Sequence, residues 1–518
     1  MMILKKSVAL VLCIVMTFSL AMPAFAVDEK CDCGNPPIVY VVGRADVYVD
    51  PNADEPQLAV DLDMDKILDA AKPVLPSFAK GLATGNWDEY CDELVEAVKP
   101  FFAEYQLDKE GNVKNNSGIL YTWSEDEIED YHWRSNVHDY TFFYDPRLDP
   151  WEIADDLNRY IETIESVTGH DEVCLLSRCM GTSIALAYLT KYAAKNDYED
   201  IHNFVLYNGT MNGFAIIDEV FTGQVDLDPD GIDRYFSDRL SDDVTGEFIK
   251  ATITLFNQSH MLGGLTVEVE ELYDKIYENV LPRLLIDTYG AIPGYWTMVS
   301  DKAYEDAKKM VFKNGAEDYA VLIQKLDRYH YTVQNNIPQT LKDMKAAGVA
   351  INVICKYGFQ LAPIIKSSDL QSDNTVDLWS QSFGATAAKI NEKLSDDYIK
   401  QAVADGKGDC ISPDNEIDAS TALFPEYTWY IKDLPHFSFP YGTDDFLVSI
   451  CRYDGQMTVD SDERYPRYMR YYEETDTISP MTGENDQDRY EKKDFFSVWL
   501  GFFKTFFKLI ISKMEYIK

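Results

Sequence analysis

The chain is 518 residues long with 46% hydrophobic and 26% charged residues, a globular balance that excludes collagen, wholesale disorder and a small disulfide scaffold. Lys and Arg number 47 against 88 Asp and Glu, and the net charge of −41 repels phosphate backbones and argues against nucleic-acid binding. At roughly 150 residues per domain, the length suggests two to four structural units.

The first residues fit a secretory signal. Lys5 and Lys6 form a basic start, Val8 to Leu20 an apolar stretch, and Ala24-Phe25-Ala26 a small-x-small cleavage site. The expected protein is therefore exported, either secreted or peripheral to the cell surface, where disulfides can form. Beyond that segment Cys31, Cys33, Cys91, Cys174, Cys179, Cys355, Cys410 and Cys451 follow no regular framework.

Pro36 to Gly43 reads as a buried strand closed by glycine, and Asp63 to Tyr105 carries apolar residues at helical spacing. A strand is expected over His138–Tyr144, a helix over Trp151–Val167, a strand over Glu172–Leu176, a helix from Met180 to Ala193, and a strand over Asn203–Tyr207. Such alternation predicts an α/β fold with a mostly parallel central sheet. Between Thr210 and Lys345 the strand signal weakens and helical spacing takes over (Leu272, Ile276, Val280, Leu284), which predicts an inserted helical cap. Ala350 to Lys356, AINVICK, resumes the buried-strand pattern.

From Asp494 onward, lysines Lys504 and Lys508 share a narrow polar face, while Phe495, Trp499, Phe502, Phe503 and Phe506 fill the rest. A basic-aromatic amphipathic helix of this kind suits contact with a membrane surface or a partner, and its lysines argue against spanning a bilayer. The expected organisation is a signal peptide (1–26), a first core part (27–215), a cap (216–345), a second core part (346–455), an acidic surface segment (456–492) and a C-terminal helix (493–518). Asp226 to Gly231 imitates the start of a calcium loop, but Ser237 occupies the position that needs a bidentate Glu, so a solvated acidic loop is expected. There is no P-loop and no dinucleotide-binding glycine motif.

The segment richest in chemistry is Asp171–Leu189, DEVCLLSRCMGTSIALAYL. A buried strand runs directly into Ser177-Arg178-Cys179-Met180-Gly181 and then into a helix, the architecture of a nucleophile elbow. That turn brings strand and helix backbones together, so small residues are needed two before and two after the nucleophile; Ser177 and Gly181 meet the requirement. The central residue is Cys179. Its thiol has an intrinsic pKa near 8.5, and a neighbouring His together with the helix N-terminus at Met180 can hold it as thiolate. Attack on an acyl carbonyl then forms a thioester, open to alcohols and amines as well as water.

Such a nucleophile needs an imidazole base and an orienting carboxylate, in the order nucleophile, acid, histidine. His436 is the one histidine after Lys345; His132, His138, His170, His202, His260 and His330 all lie upstream. For the acid, Asp369, Asp373, Asp377 and Asp433 compete, and the D-x-T-V turn with its small polar neighbours favours Asp373. An oxyanion hole takes one backbone N–H from Met180, just after the nucleophile, and another from the turn after the first strand, at Arg44.

These segments together resemble the lecithin:cholesterol acyltransferase and phospholipid:diacylglycerol acyltransferase branch of the α/β hydrolases. The resemblance covers roughly residues 36–215 and 346–440. VVGRADVYVD is similar to that family's oxyanion turn, Tyr144-Asp145-Pro146-Arg147 to its Y-D-W-R, LLSRCMGT to its G-H-S-M-G-G elbow, and Ser372-Asp373-Asn374-Thr375-Val376 to its G-D-x-T-V acid turn. The match implies an α/β-hydrolase fold, triad roles for Cys179, Asp373 and His436, backbone oxyanion roles for Arg44 and Met180, a lipid or other acyl ester substrate, and no metal or organic cofactor. The chain departs from the family where Cys179 replaces serine, Ser177 the first elbow glycine, and Arg178 the histidine before the nucleophile. The expected activity is that of a lipase- or acyltransferase-like enzyme. Two competing readings are a non-catalytic surface binding protein of the same fold, and a cysteine acyltransferase or peptidase acting on cell-wall amines.

Overall fold

A computed structural model of the chain describes residues 35–61, 72–134, 138–224, 275–361 and 367–482, together with Lys66 and Ala70. The signal-like segment, Cys31 and Cys33, the loop from Asp226 to Ser237, His260 and the C-terminal amphipathic segment lie outside the described residues.

Ten strands are found among the described residues: β1 (Ile38–Val41), β2 (Asp139–Phe142), β3 (Val173–Arg178), β4 (Ile201–Tyr207), β5 (Ala350–Tyr357), β6 (Thr386–Ala387), β7 (Ile417–Asp418), β8 (Thr428–Lys432), β9 (Tyr468–Tyr472) and β10 (Thr477–Pro480). Eight of them form one sheet in the order β10-β9-β8-β5-β4-β3-β1-β2. Every neighbouring pair is parallel except β9 with β10. The short β6 and β7 pair antiparallel by themselves.

The central strands read as unbroken apolar runs because both of their faces are covered. Leu175, Phe204, Leu206, Ile351 and Val353 face one core, with Leu157, Ile161, Ile184, Leu341 and Met344 packed on it. Leu176, Val205, Tyr207, Ile354, Trp429 and Ile431 face the other, beneath Phe446, Leu447 and Ile450. Each fully buried Val, Leu or Ile stabilises this sandwich by about 1.5–3 kcal/mol. The helices of the first side are α1 (Pro150–Thr168), α2 (Gly181–Lys191) and α3 (Ile337–Ala347), and α4 (Thr443–Cys451) covers the second. Helix α1 starts where Asp149 accepts the Trp151 N–H and Pro150 presets the first turn, and it ends at Gly169 with φ 71°.

Between β4 and β5 the described residues are helical or irregular, and they build a core of their own from Phe221, Leu285, Trp296, Val299, Tyr304, Val311, Leu322 and Leu326. The segment expected to be an acidic surface stretch differs from that reading, since residues 468–480 supply β9 and β10. Tyr468, Met469 and Tyr471 pack inward, while Glu473, Glu474 and Asp476 lie in or beside the turn that joins the two strands. Among the described residues no helix is long and apolar enough to cross a membrane.

Candidate active site

The turn between β3 and α2 places Cys179 at φ 49°, in the left-handed region that a side chain rarely adopts. The strain is held by close packing on every side. A Cβ on Gly181 would fall 2.4 Å from the Val42 carbonyl oxygen, and one on Gly43 would fall 2.9 Å from Cys179 Cβ. Buried Ser177 shares a hydrogen bond with Thr182 (3.1 Å) beneath the turn. The Cys179 carbonyl accepts from the N–H of Thr182 (3.1 Å) and of Thr210 (3.3 Å) and from the Thr210 hydroxyl (3.2 Å). Replacing Gly181 by Ala is expected to destabilise the fold by about 2–3 kcal/mol through overpacking against backbone; a thermal-unfolding midpoint equal to that of the parent chain would contradict this.

Asp373 and His436 arrive from the ends of β5 and β8. His436 Nδ1 lies 2.6 Å from Asp373 Oδ2, with both side chains fully buried. Asp373 Oδ1 accepts the N–H groups of Thr375 (3.1 Å) and Val376 (2.8 Å), and the His436 N–H donates to the Asp373 carbonyl (2.8 Å). The backbone amides of the turn thus hold the carboxylate, and Asn374 closes it at φ 82°. The opposite ring nitrogen, Nε2, is buried with no nitrogen or oxygen partner, and the group it couples to is the Cys179 thiol.

The electrostatics favour a charged pair. Burial opposes charge on both members. The Cys179 thiol is nevertheless lowered by the His436 cation, by a hydrogen bond to it and by the Met180 N–H. Burial likewise opposes the imidazolium, yet the thiolate and the Asp373 carboxylate push His436 up to about 10. Cys179 is half-buried as a residue while protein atoms crowd its sulfur, so charge there needs a partner.

These shifts carry a stability signature. His436, raised when folded, contributes stability that is complete below its unfolded pKa of about 6.5 and lost as pH rises through about 10. Cys179, lowered when folded, contributes stability that is present above about 8.5 and lost as pH falls through its folded value. The two contributions change in opposite directions between about pH 6.5 and 8.5, so the stabilisation is expected to fall as pH rises above that range and as it drops through the folded thiol value. Urea unfolding of the wild type minus that of Cys179→Ala isolates this curve; a difference independent of pH would refute the ion pair.

The remaining expected residues fall as follows. Met180 follows Cys179 and its N–H points at the sulfur. Arg44 follows Gly43, which packs on Cys179, and its side chain is exposed, 3.7 Å from Asp46. The competing acids are engaged elsewhere: Asp377 accepts the Ala215 and Ser380 N–H groups, Asp369 pairs with Lys389, and Asp433 with Arg470. His132, His138 and His170 cluster together away from Cys179, His202 meets Glu172, and His330 stacks on Tyr304. Two participants escaped the sequence reading. Asn208, at φ 39° just past β4, donates to Asp373 Oδ2 (3.3 Å) and lies 2.9 Å from His436 Nδ1. Lys356 ends β5 and donates to carbonyls of the histidine loop. A lone lysine closing an apolar strand was the available signal.

Six cysteines among the described residues, Cys91, Cys174, Cys179, Cys355, Cys410 and Cys451, carry free thiols. No three His, Cys, Asp or Glu side chains among the described residues are grouped so as to hold a metal ion. No protein-family model matches the chain, and no curated protein matches it significantly.

Proposed function

We propose that this chain is an exported α/β-hydrolase-type enzyme that transfers acyl groups from esters through a thioester on Cys179. The observation that carries the reading is the strained cysteine at a strand–helix turn, coupled to an imidazole whose far nitrogen is held 2.6 Å from a buried carboxylate. That arrangement supplies nucleophile, base and orienter in the order the elbow requires. It also agrees with the resemblance to the lecithin:cholesterol and phospholipid:diacylglycerol acyltransferase branch.

In the first half-reaction the Cys179 thiolate attacks the ester carbonyl carbon, forming a C–S bond and moving the carbonyl electron pair onto oxygen. The Met180 N–H and, by the resemblance, the Arg44 N–H stabilise that oxyanion. As the carbonyl re-forms, the C–O bond to the alcohol breaks and His436 Nε2–H gives its proton to the leaving oxygen. In the second half-reaction water or another alcohol attacks the thioester, His436 takes its proton, and the thiolate leaves. Water gives hydrolysis and an alcohol gives acyl transfer.

The substrate class we favour is a lipid ester. Phe437 and Phe439 follow the histidine directly, are 69% and 43% exposed and lie beside Arg178, the neighbour of Cys179, an apolar rim suited to an acyl chain. The test is to quench the enzyme in acid during turnover of p-nitrophenyl esters of increasing chain length and weigh the peptide containing Cys179. An acyl mass on that peptide, growing with longer chains, is expected; rapid turnover with the mass on another residue, or none on any, would overturn the reading.

A further inference from the structure

Lys356 presents an unusual use of a buried cation. Its side chain is fully enclosed at the end of β5, and among the described residues no ion pair neutralises it. Nζ instead donates to three backbone carbonyls of one loop, those of Pro435 (3.3 Å), His436 (3.2 Å) and Ser438 (3.1 Å). The ring faces of Tyr207 (4.5 Å) and Phe439 (5.4 Å) complete its surroundings. The His436 carbonyl also accepts from Arg178 Nη2 (2.8 Å) and from Asn208 Nδ2 (3.4 Å). Arg178 in turn lies over the Phe439 ring at 4.1 Å. Three donors, two of them cationic, thus converge on the carbonyl of the residue whose ring must meet the sulfur.

Burying an ammonium without a counter-ion is costly, and an apolar side chain would fill the same space more cheaply. The lysine does what an apolar residue cannot: it ties the turn on both sides of His436 to the rigid end of a central strand. We infer that Lys356 is a positioning residue, which by holding the Pro435, His436 and Ser438 carbonyls fixes the imidazole beside Cys179 and so sets the fraction of thiolate. This inference rests on the triad reading and adds a residue outside the triad.

The charge of the lysine fits this role. Burial lowers its pKa to about 7, with Asp373 and Cys179 acting to raise it and Arg178 to lower it. An ammonium has a hydrogen for each of the three carbonyls, whereas the neutral amine has only two, so deprotonation frees one hold on the loop.

The experiment measures the rate of iodoacetamide alkylation at Cys179 in the full chain between about pH 5 and about pH 9, following the peptide mass of that residue. Lys356→Met is expected to raise the thiol midpoint by about one unit and to slow alkylation at about pH 6 roughly tenfold. Arg178→Gln changes a partly exposed side chain that shares the same carbonyl, and a smaller shift in the same direction is expected. A folded Lys356→Met with the wild-type profile overturns the inference; if that variant does not fold, an unchanged Arg178→Gln profile does so. A wild type with a low thiol midpoint but no acyl adduct sinks the proposed activity and leaves this inference standing. An ordinary thiol midpoint in the wild type removes both.

Discussion

Replacing Cys179 by Ala is expected to lower ester turnover about a millionfold in kcat, the scale of losing a nucleophile that works as one unit with its base. The change removes the atom that would carry the acyl group and leaves His436 without the anion that chiefly raises it. Cys179→Ser is the more searching variant. It restores an oxygen in the same strained position, but an alcohol cannot be held as an anion by an imidazolium whose pKa is far below its own. Serine enzymes on this turn rely on a neutral imidazole that removes the proton during attack, whereas this site is built around a charge-separated pair. Cys179→Ser is therefore expected to recover only a small part of the lost rate. Release of p-nitrophenol, with pre-steady-state resolution of any burst, measures both variants; turnover that survives Cys179→Ala would place the chemistry elsewhere.

Asp373→Asn is expected to reduce kcat about ten-thousandfold with little change in fold. The backbone N–H groups of Thr375 and Val376 still find an acceptor in the amide oxygen, so the turn keeps its shape. The amide nitrogen then faces His436 Nδ1, where Oδ2 stood, and it also faces the Asn208 amide. Two donors now oppose the ring nitrogen, which stabilises the tautomer with its proton on Nε2 and removes the charge that supported the imidazolium. Comparing kcat with the unfolding midpoint separates this loss from a structural one. A tenfold effect or less would reduce Asp373 to a loop support.

Much of this architecture was legible because its signals are local. The apolar runs of β1, β3, β4 and β5 announce strands covered on both faces, and the alternation with α1 and α2 implies their parallel pairing. The elbow could be read because one bend imposes small residues at fixed spacing, here Ser177 and Gly181, and the D-x-T-V turn because its backbone must cradle a carboxylate. What escaped depends on contacts distant in sequence. Residues 468–480 lie in a longer stretch rich in Asp, Glu, Arg and Tyr, and that composition hid an edge hairpin. Asn208 reads as a polar cap after a strand, and only the approach of residues 373 and 436 gives it work. Lys356 sits in a mostly apolar strand, and its carbonyl partners lie about eighty positions further on.

The pairing of β4 with β5 has a consequence for how the chain reaches this state. The partner of Asn203 through Tyr207 begins only at Ala350, after residues 208–349 have been synthesised. Until then the backbone groups along that edge of β4 have no mate, and closing so long a loop must precede any reward from the contacts it brings. The nascent polypeptide is therefore expected to pass through a stage with one edge of β4 unpaired, the kind of stage in which chains aggregate. Shortening the intervening helices should speed maturation more than it strengthens the finished molecule.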